Sequence, residues 1–163
     1  MTRKNARSKI LTRNNAQAAV RRAQRRGERV VFTSGCFDLL HVGHVRSLEQ
    51  ARSFGDRLVV AINSDASVRR FKGPERPIVP ARQRAEVLAA LECVDWVMVF
   101  GGATPRATLA ALSPDVFAKG GDWPLAVLEA QDLPPGFEGE VRRLRQIADA
   151  RTTAIVERIR RKR

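Results

Sequence analysis

Val30-Val31-Phe32-Thr33-Ser34-Gly35-Cys36-Phe37-Asp38-Leu39-Leu40-His41-Val42-Gly43-His44 reads in three parts: a short apolar run of strand type, a polar turn with a glycine and an aspartate, and the start of a helix. The helix runs on to Phe54, with Val45, Leu48 and Ala51 at helical spacing, and Gly55 ends it. The chain then repeats this alternation. Leu58-Val59-Val60-Ala61-Ile62 is a continuous apolar run, as expected of a strand buried on both faces. A helix is expected over Pro80 to Leu91, with Val87, Leu88 and Leu91 inward. A strand follows at Trp96 to Phe100, and a helix at Thr104 to Leu112 with Thr104 as N-cap and Pro105 at its first position. Asp115 to Ala118 is a fourth strand. Residues 124–139 read as irregular, broken by Pro134-Pro135-Gly136. Val141 to Ile147 permits a helix or a fifth strand, and Thr153 to Arg160 reads as a terminal helix. Strands alternating with helices imply an α/β domain with a parallel sheet wound by right-handed crossovers.

The 163 residues suffice for one compact domain. No apolar run approaches the roughly 20 residues of a membrane helix, and the N-terminus lacks the apolar stretch of a signal peptide. Cys36 and Cys93 stand far apart, which argues against a disulfide scaffold or a zinc site and fits a cytoplasmic protein. The net charge of +13 is unevenly spread. Residues 1–29 hold ten Lys/Arg and one acidic residue, residues 142–163 nine and two, and residues 30–141 eleven and fourteen. Basic ends of this kind are solvated surface or a polyanion-binding feature; the pattern favours the first over a nucleic-acid role. Residues 1–14 read as loosely attached. Residues 15–26 form a short surface helix, with Ala16, Ala19, Val20 and Ala23 on one stripe and Gly27 as its stop. On this basis residues 1–29 are a basic N-terminal extension and residues 30–163 the domain proper.

Parallel sheets of this type bind ligands at the carboxyl ends of their strands. The polar, glycine-bearing segments lie there: Ser34 to Asp38 after the first strand, Asn63-Ser64-Asp65 after the second, Lys119-Gly120-Gly121-Asp122 after the fourth. Both histidines of the chain, His41 and His44, open the helix that follows the first of these. Gly35 lets backbone approach a ligand, and Gly43 leaves space between the imidazoles. Two imidazoles and a helix N-terminus around one space make a phosphate cradle.

The His-x-Gly-His motif after Gly-x-Phe-Asp resembles the cytidylyltransferase-like branch of the nucleotidyltransferases, from Val30 to the C-terminus. Within it, Asn63-Ser64-Asp65, Lys72-Gly73, Arg76-Pro77, Gln83-Arg84, Lys119-Gly120-Gly121-Asp122-Trp123 and Thr152-Thr153 look most like the adenylyltransferases of D-glycero-β-D-manno-heptose 1-phosphate. The resemblance implies a Rossmann-like α/β fold with a parallel five-stranded sheet and helices on both faces, a nucleoside triphosphate and a sugar phosphate as substrates, Mg²⁺ with the triphosphate, and often a homodimer. It implies that His41 and His44 donate to phosphate oxygens and that Lys72, on a loop after the second strand, closes over the triphosphate; the bland alternative for Lys72 is a solvated loop lysine. Gly35, Cys36, Phe37, Asp38, Gly43, Arg84, Thr152 and Thr153 would bind the nucleotide; Arg84 could equally be a surface arginine, and the threonines could cap the last helix. Asp65, Lys119, Asp122 and Trp123 would bind the acceptor. Turn formation is the alternative for the aspartates, which could also reach the metal, and core packing for Trp123. The stretch from Leu125 to Gly139 and Arg151 depart from the heptose pattern, while the spacing from Asp122 to Thr152 follows it and implies a strand at Val141 to Leu144 against the helical local look. A glycerol-3-phosphate cytidylyltransferase or related CTP user is therefore an alternative, and a nucleic-acid-binding protein a second.

Overall fold

The computed structural model describes residues 5–121, 124–145 and 152–161. Among them five strands form one parallel sheet: β1 (Val30–Gly35), β2 (Arg57–Asn63), β3 (Trp96–Phe100), β4 (Val116–Gly120) and β5 (Glu140–Leu144), in the order β3-β2-β1-β4-β5. The Rossmann-like expectation holds. β1 is central, with Val31 opposite Leu58 on one side and Val116 on the other. The chain leaves β1 toward β2 and later returns to β1's other edge with β4. A crevice must open at that reversal, above the carboxyl ends of the strands.

The helices are α1 (Arg13–Arg25), α2 (Val42–Arg52), α3 (Asp65–Lys72), α4 (Ala81–Ala89), α5 (Arg106–Leu112), α6 (Leu125–Gln131) and α7 (Thr152–Arg160). Alternate residues of each strand face opposite ways and build two cores. Val31, Leu58, Val60, Ile62 and Val116 pack against Leu48 and Ala51 of α2 and Ala85, Leu88 and Ala89 of α4. Val30, Phe32, Val59, Ala61 and Phe117 pack against Ala16, Val20 and Ala23 of α1 and Leu109 and Leu112 of α5.

Several local expectations are corrected. Residues 5–14 are not loosely attached. Ala6–Lys9 form a 3-10 turn, Ile10 bridges to Val97 of β3, the Leu11 amide donates to the Val97 carbonyl, and Lys9 Nζ donates to the carbonyls of Leu91 and Val94. The α1 stripe is fully inside the second core, so this basic helix wears its charge only on its outer side. Lys72 lies on the last turn of a helix, not on a loop: the Ser64 side chain accepts from the Ser67 amide and starts α3 directly after β2. Val87 points outward at 48% exposure, and buried Arg84 takes an inward place on α4 instead. Pro105, not Thr104, is the N-cap of α5. Residues 125–131 are helical, because Pro124 sets the entry and Leu128 anchors the turn in the interior. The expected fifth strand, by contrast, is present as Glu140–Leu144; pairing with β4 overrides its helical local spacing.

Candidate active site at the carboxyl ends of the strands

α2 begins where β1 hands the chain through the turn Cys36–Leu40. His41 is the N-cap residue, in extended conformation, and its side chain makes no capping bond. Its carbonyl accepts instead from the His44 and Val45 amides. The imidazoles of His41 and His44 stack, with centroids 3.8 Å apart and planes inclined by 22°. Phe37, held at φ 47°, leans its ring on His44 at 5.2 Å. A Cβ on Gly35 would lie 3.0 Å from that ring, so Gly35 serves first to seat Phe37. Gly43 is buried in the first turn of α2, and the stacked rings leave no space between the imidazoles, which corrects the expectation for this glycine.

His41 Nδ1 and His44 Nδ1 are buried and have no hydrogen-bond partner among the described residues. Buried polar atoms are normally paired, so the fold has left this capacity unused. Burial, with the positive charges of His41 and Lys72 adding to it, pushes His44 down to about 4; burial lowers His41 as well. Both are neutral at pH 7. They sit at a helix N-terminus, the position at which an arriving anion would restore their protons.

The carboxylates of the rim are, by contrast, fully employed. Asp38 is buried and accepts from the Ile78 and Val79 amides and from Arg76 at 2.9 Å. Burial opposes its ionisation, but those donors outweigh it and hold the carboxyl below its usual range. Arg84, 2% exposed, donates to the carbonyls of Val79, Cys36 and Asn63 and to Asp65 at 2.7 Å. Asp65 also accepts from the Ala81 amide. Arg84 is thus not a surface arginine: four of its five N–H groups are spent on the protein. It ties the ends of β1 and β2 to the starts of α3 and α4.

A cavity of about 470 Å³ opens over the strand ends, walled by Cys36 and Asn63, by Phe71 of α3, by Lys119 of β4 and by Gln131 and Asp132 at the end of α6. Lys72 and Lys119 both lie close enough to Cys36 for their charges to act on its thiol, which burial raises overall. Cys36, Phe37, His41, His44, Lys72 and Lys119 therefore belong to one region. Thr152 and Thr153 open α7, whose far end reaches Glu75 through Arg160. Asp122 and Trp123 lie outside the described residues. Phe71 and Asp132 were missed by sequence reasoning: Asp132 sits in a segment read as irregular, and Phe71 in one read as a loop. A larger cavity, about 810 Å³, opens at the amino ends of the strands. Its charged walls are consumed structurally, Arg29 by Glu140 and Asp115 by the Val30 amide.

The model of the cytidylyltransferase-like family matches residues 32–161. The bifunctional protein HldE of Hahella chejuensis is 51% identical over 150 residues, covering 92% of this chain and 31% of that protein. The bifunctional protein HldE of Pseudomonas syringae pv. syringae is 52% identical over 142 residues, covering 87% of this chain and 30% of that one. The chain thus spans just under a third of these relatives. The solved lipopolysaccharide core biosynthesis protein from Thermoplasma volcanium superposes with a TM-score of 0.62 at 25% identity, covering 74% of this chain and 99% of that one.

Proposed function

From the premise that the chain belongs to the cytidylyltransferase-like family, we propose that it transfers AMP from ATP to a sugar 1-phosphate. The proposed acceptor is D-glycero-β-D-manno-heptose 1-phosphate, giving ADP-heptose and pyrophosphate. The observation that carries the reading is the stacked His41–His44 pair at the start of α2, with both buried Nδ1 atoms left without a protein partner. An acceptor phosphate oxygen attacks the α-phosphorus, forming one P–O bond as the bond to the β-phosphate oxygen breaks. The nucleophile is already anionic, so positioning and charge stabilisation dominate. His41 and His44 donate to the phosphate oxygens on which charge accumulates. Lys72, whose charge already reaches His44, adds a cation from the end of α3. Cys36 to Asp38 form the turn beneath them, and the nucleotide would meet Thr152 and Thr153, which open α7.

Among the described residues no group of three or more His, Cys, Asp or Glu side chains could hold a metal ion, and Asp38 and Asp65 are committed to protein donors. This donor set suits Mg²⁺ carried on triphosphate oxygens and water rather than caged by carboxylates. Mg²⁺ entering with the triphosphate would neutralise charge on the phosphates. The test is pyrophosphate release from ATP and CTP, each paired with heptose 1-phosphate and glycerol 3-phosphate. Turnover is expected for ATP with the heptose and abolished by EDTA. Turnover only of CTP with glycerol 3-phosphate would replace both substrates while keeping the chemistry, and no turnover with any pairing would sink the enzyme reading.

A further inference from the structure

Two lysines flank Cys36, and the fold treats them oppositely. Lys72 is exposed and has no carboxylate partner among the described residues. Lys119 is held at 2.7 Å by Asp132, which is itself buried at the end of α6. The first is a net cation beside His44. The second belongs to an ion pair of no net charge, and both its residues line a cavity of about 470 Å³, as does Gln131. That volume is ordinary for a small-molecule site. A phosphate gains little from a lysine already neutralised by a carboxylate. A hydroxyl, which donates and accepts, is matched by such a pair, because the carboxylate takes its proton and the ammonium its lone pair.

We infer that Asp132, acting with Lys119, is a specificity-determining residue that receives hydroxyl groups of the acceptor's sugar body, while the acceptor's phosphate lies on the Lys72–His44 side. This rests on the proposed transfer reaction and deepens it. It fixes the direction in which the acceptor lies and places its recognition on α6.

The experiment compares wild type with Asp132→Asn and Lys119→Met in the full chain. Binding of heptose 1-phosphate, inorganic phosphate and α,β-methylene-ATP is measured by calorimetry, alongside KM and kcat. Asp132→Asn should weaken heptose 1-phosphate about tenfold or more, in KM and in direct binding, since a hydrogen bond to a charged group is lost. The same change frees Lys119, so inorganic phosphate should bind more tightly; α,β-methylene-ATP affinity should not change. A merely structural aspartate would weaken all three ligands together and lower Tm, which overturns the inference. So does unchanged affinity for the heptose. If wild type binds the sugar phosphate but turns nothing over, the transfer reading fails while the Asp132 arm still decides the subsite. If wild type does not bind it at all, both fall.

Discussion

Two sets of charged and polar groups meet at the carboxyl ends of the strands, and they are built on opposite terms. Around Asp38, Asp65 and Arg84 every carboxylate and nearly every guanidinium N–H is spent on backbone or on another side chain of the protein. Around His41, His44 and Lys72 the groups are left over: two imidazole nitrogens without partners and an exposed ammonium. The first set is a frame, and the second is the face that the proposed transfer would use. Membership of a motif does not say which is which; satisfaction of hydrogen bonds does. Asp38 sits inside the Gly-x-Phe-Asp turn and is frame. His44, six residues on, is face.

The sharpest way to break this contrast is to exchange the expected losses. His44→Asn should lower kcat by about 10²–10³. Its Tm should change little, because the asparagine amide puts another polar group where the unpartnered Nδ1 stood. A fall in Tm without loss of rate would put His44 in the frame. Arg84→Met should do the reverse, costing ~3 kcal/mol as buried partners lose their donor, read as a fall in Tm of about 6–12 °C. Residual activity measured well below that Tm should be retained in part. The smallest effect is protonic. Since His44 titrates near 4 in the free protein, triphosphate binding at pH 5.5 should draw up to one proton onto it, and binding at pH 8 none. Calorimetry in two buffers of different ionisation enthalpy measures this. Stability follows the same sign: His44 stays neutral in the fold but protonates in the unfolded chain. The free protein therefore loses stability as pH falls from 6.5 toward 4, and His44→Asn should flatten that slope.

The fold and the histidine centre were legible because both are local. Apolar runs such as Leu58 to Ile62 announce a strand buried on two faces, and His41 and His44 lie three residues apart on one helical turn. Pairings across the chain were not legible. Arg84 looked like one more cation on a charged helix; its burial depends on three carbonyls brought in by β1, β2 and the loop at Val79. Asp132 pairs with Lys119 only because seven residues after Pro124 coil into α6 and return the chain to β4. The fifth strand was legible only through the spacing of the resemblance, since β5 owes its extended form to its neighbour β4.

The short N-terminal segment over β3 has a consequence for solution behaviour. β3 is the outermost strand on its side of the sheet, and an uncovered edge is a template for strands of other molecules. Here the bridge from Ile10 to Val97 and the Leu11 amide occupy part of that edge. The arginines of α1, which follow directly in the chain, are exposed and add like charge to this part of the surface. Proteolytic nicking or a rigid fusion that lifts residues 6–11 away would therefore show first as self-association through β3, before any change in the chemistry at the far ends of the strands.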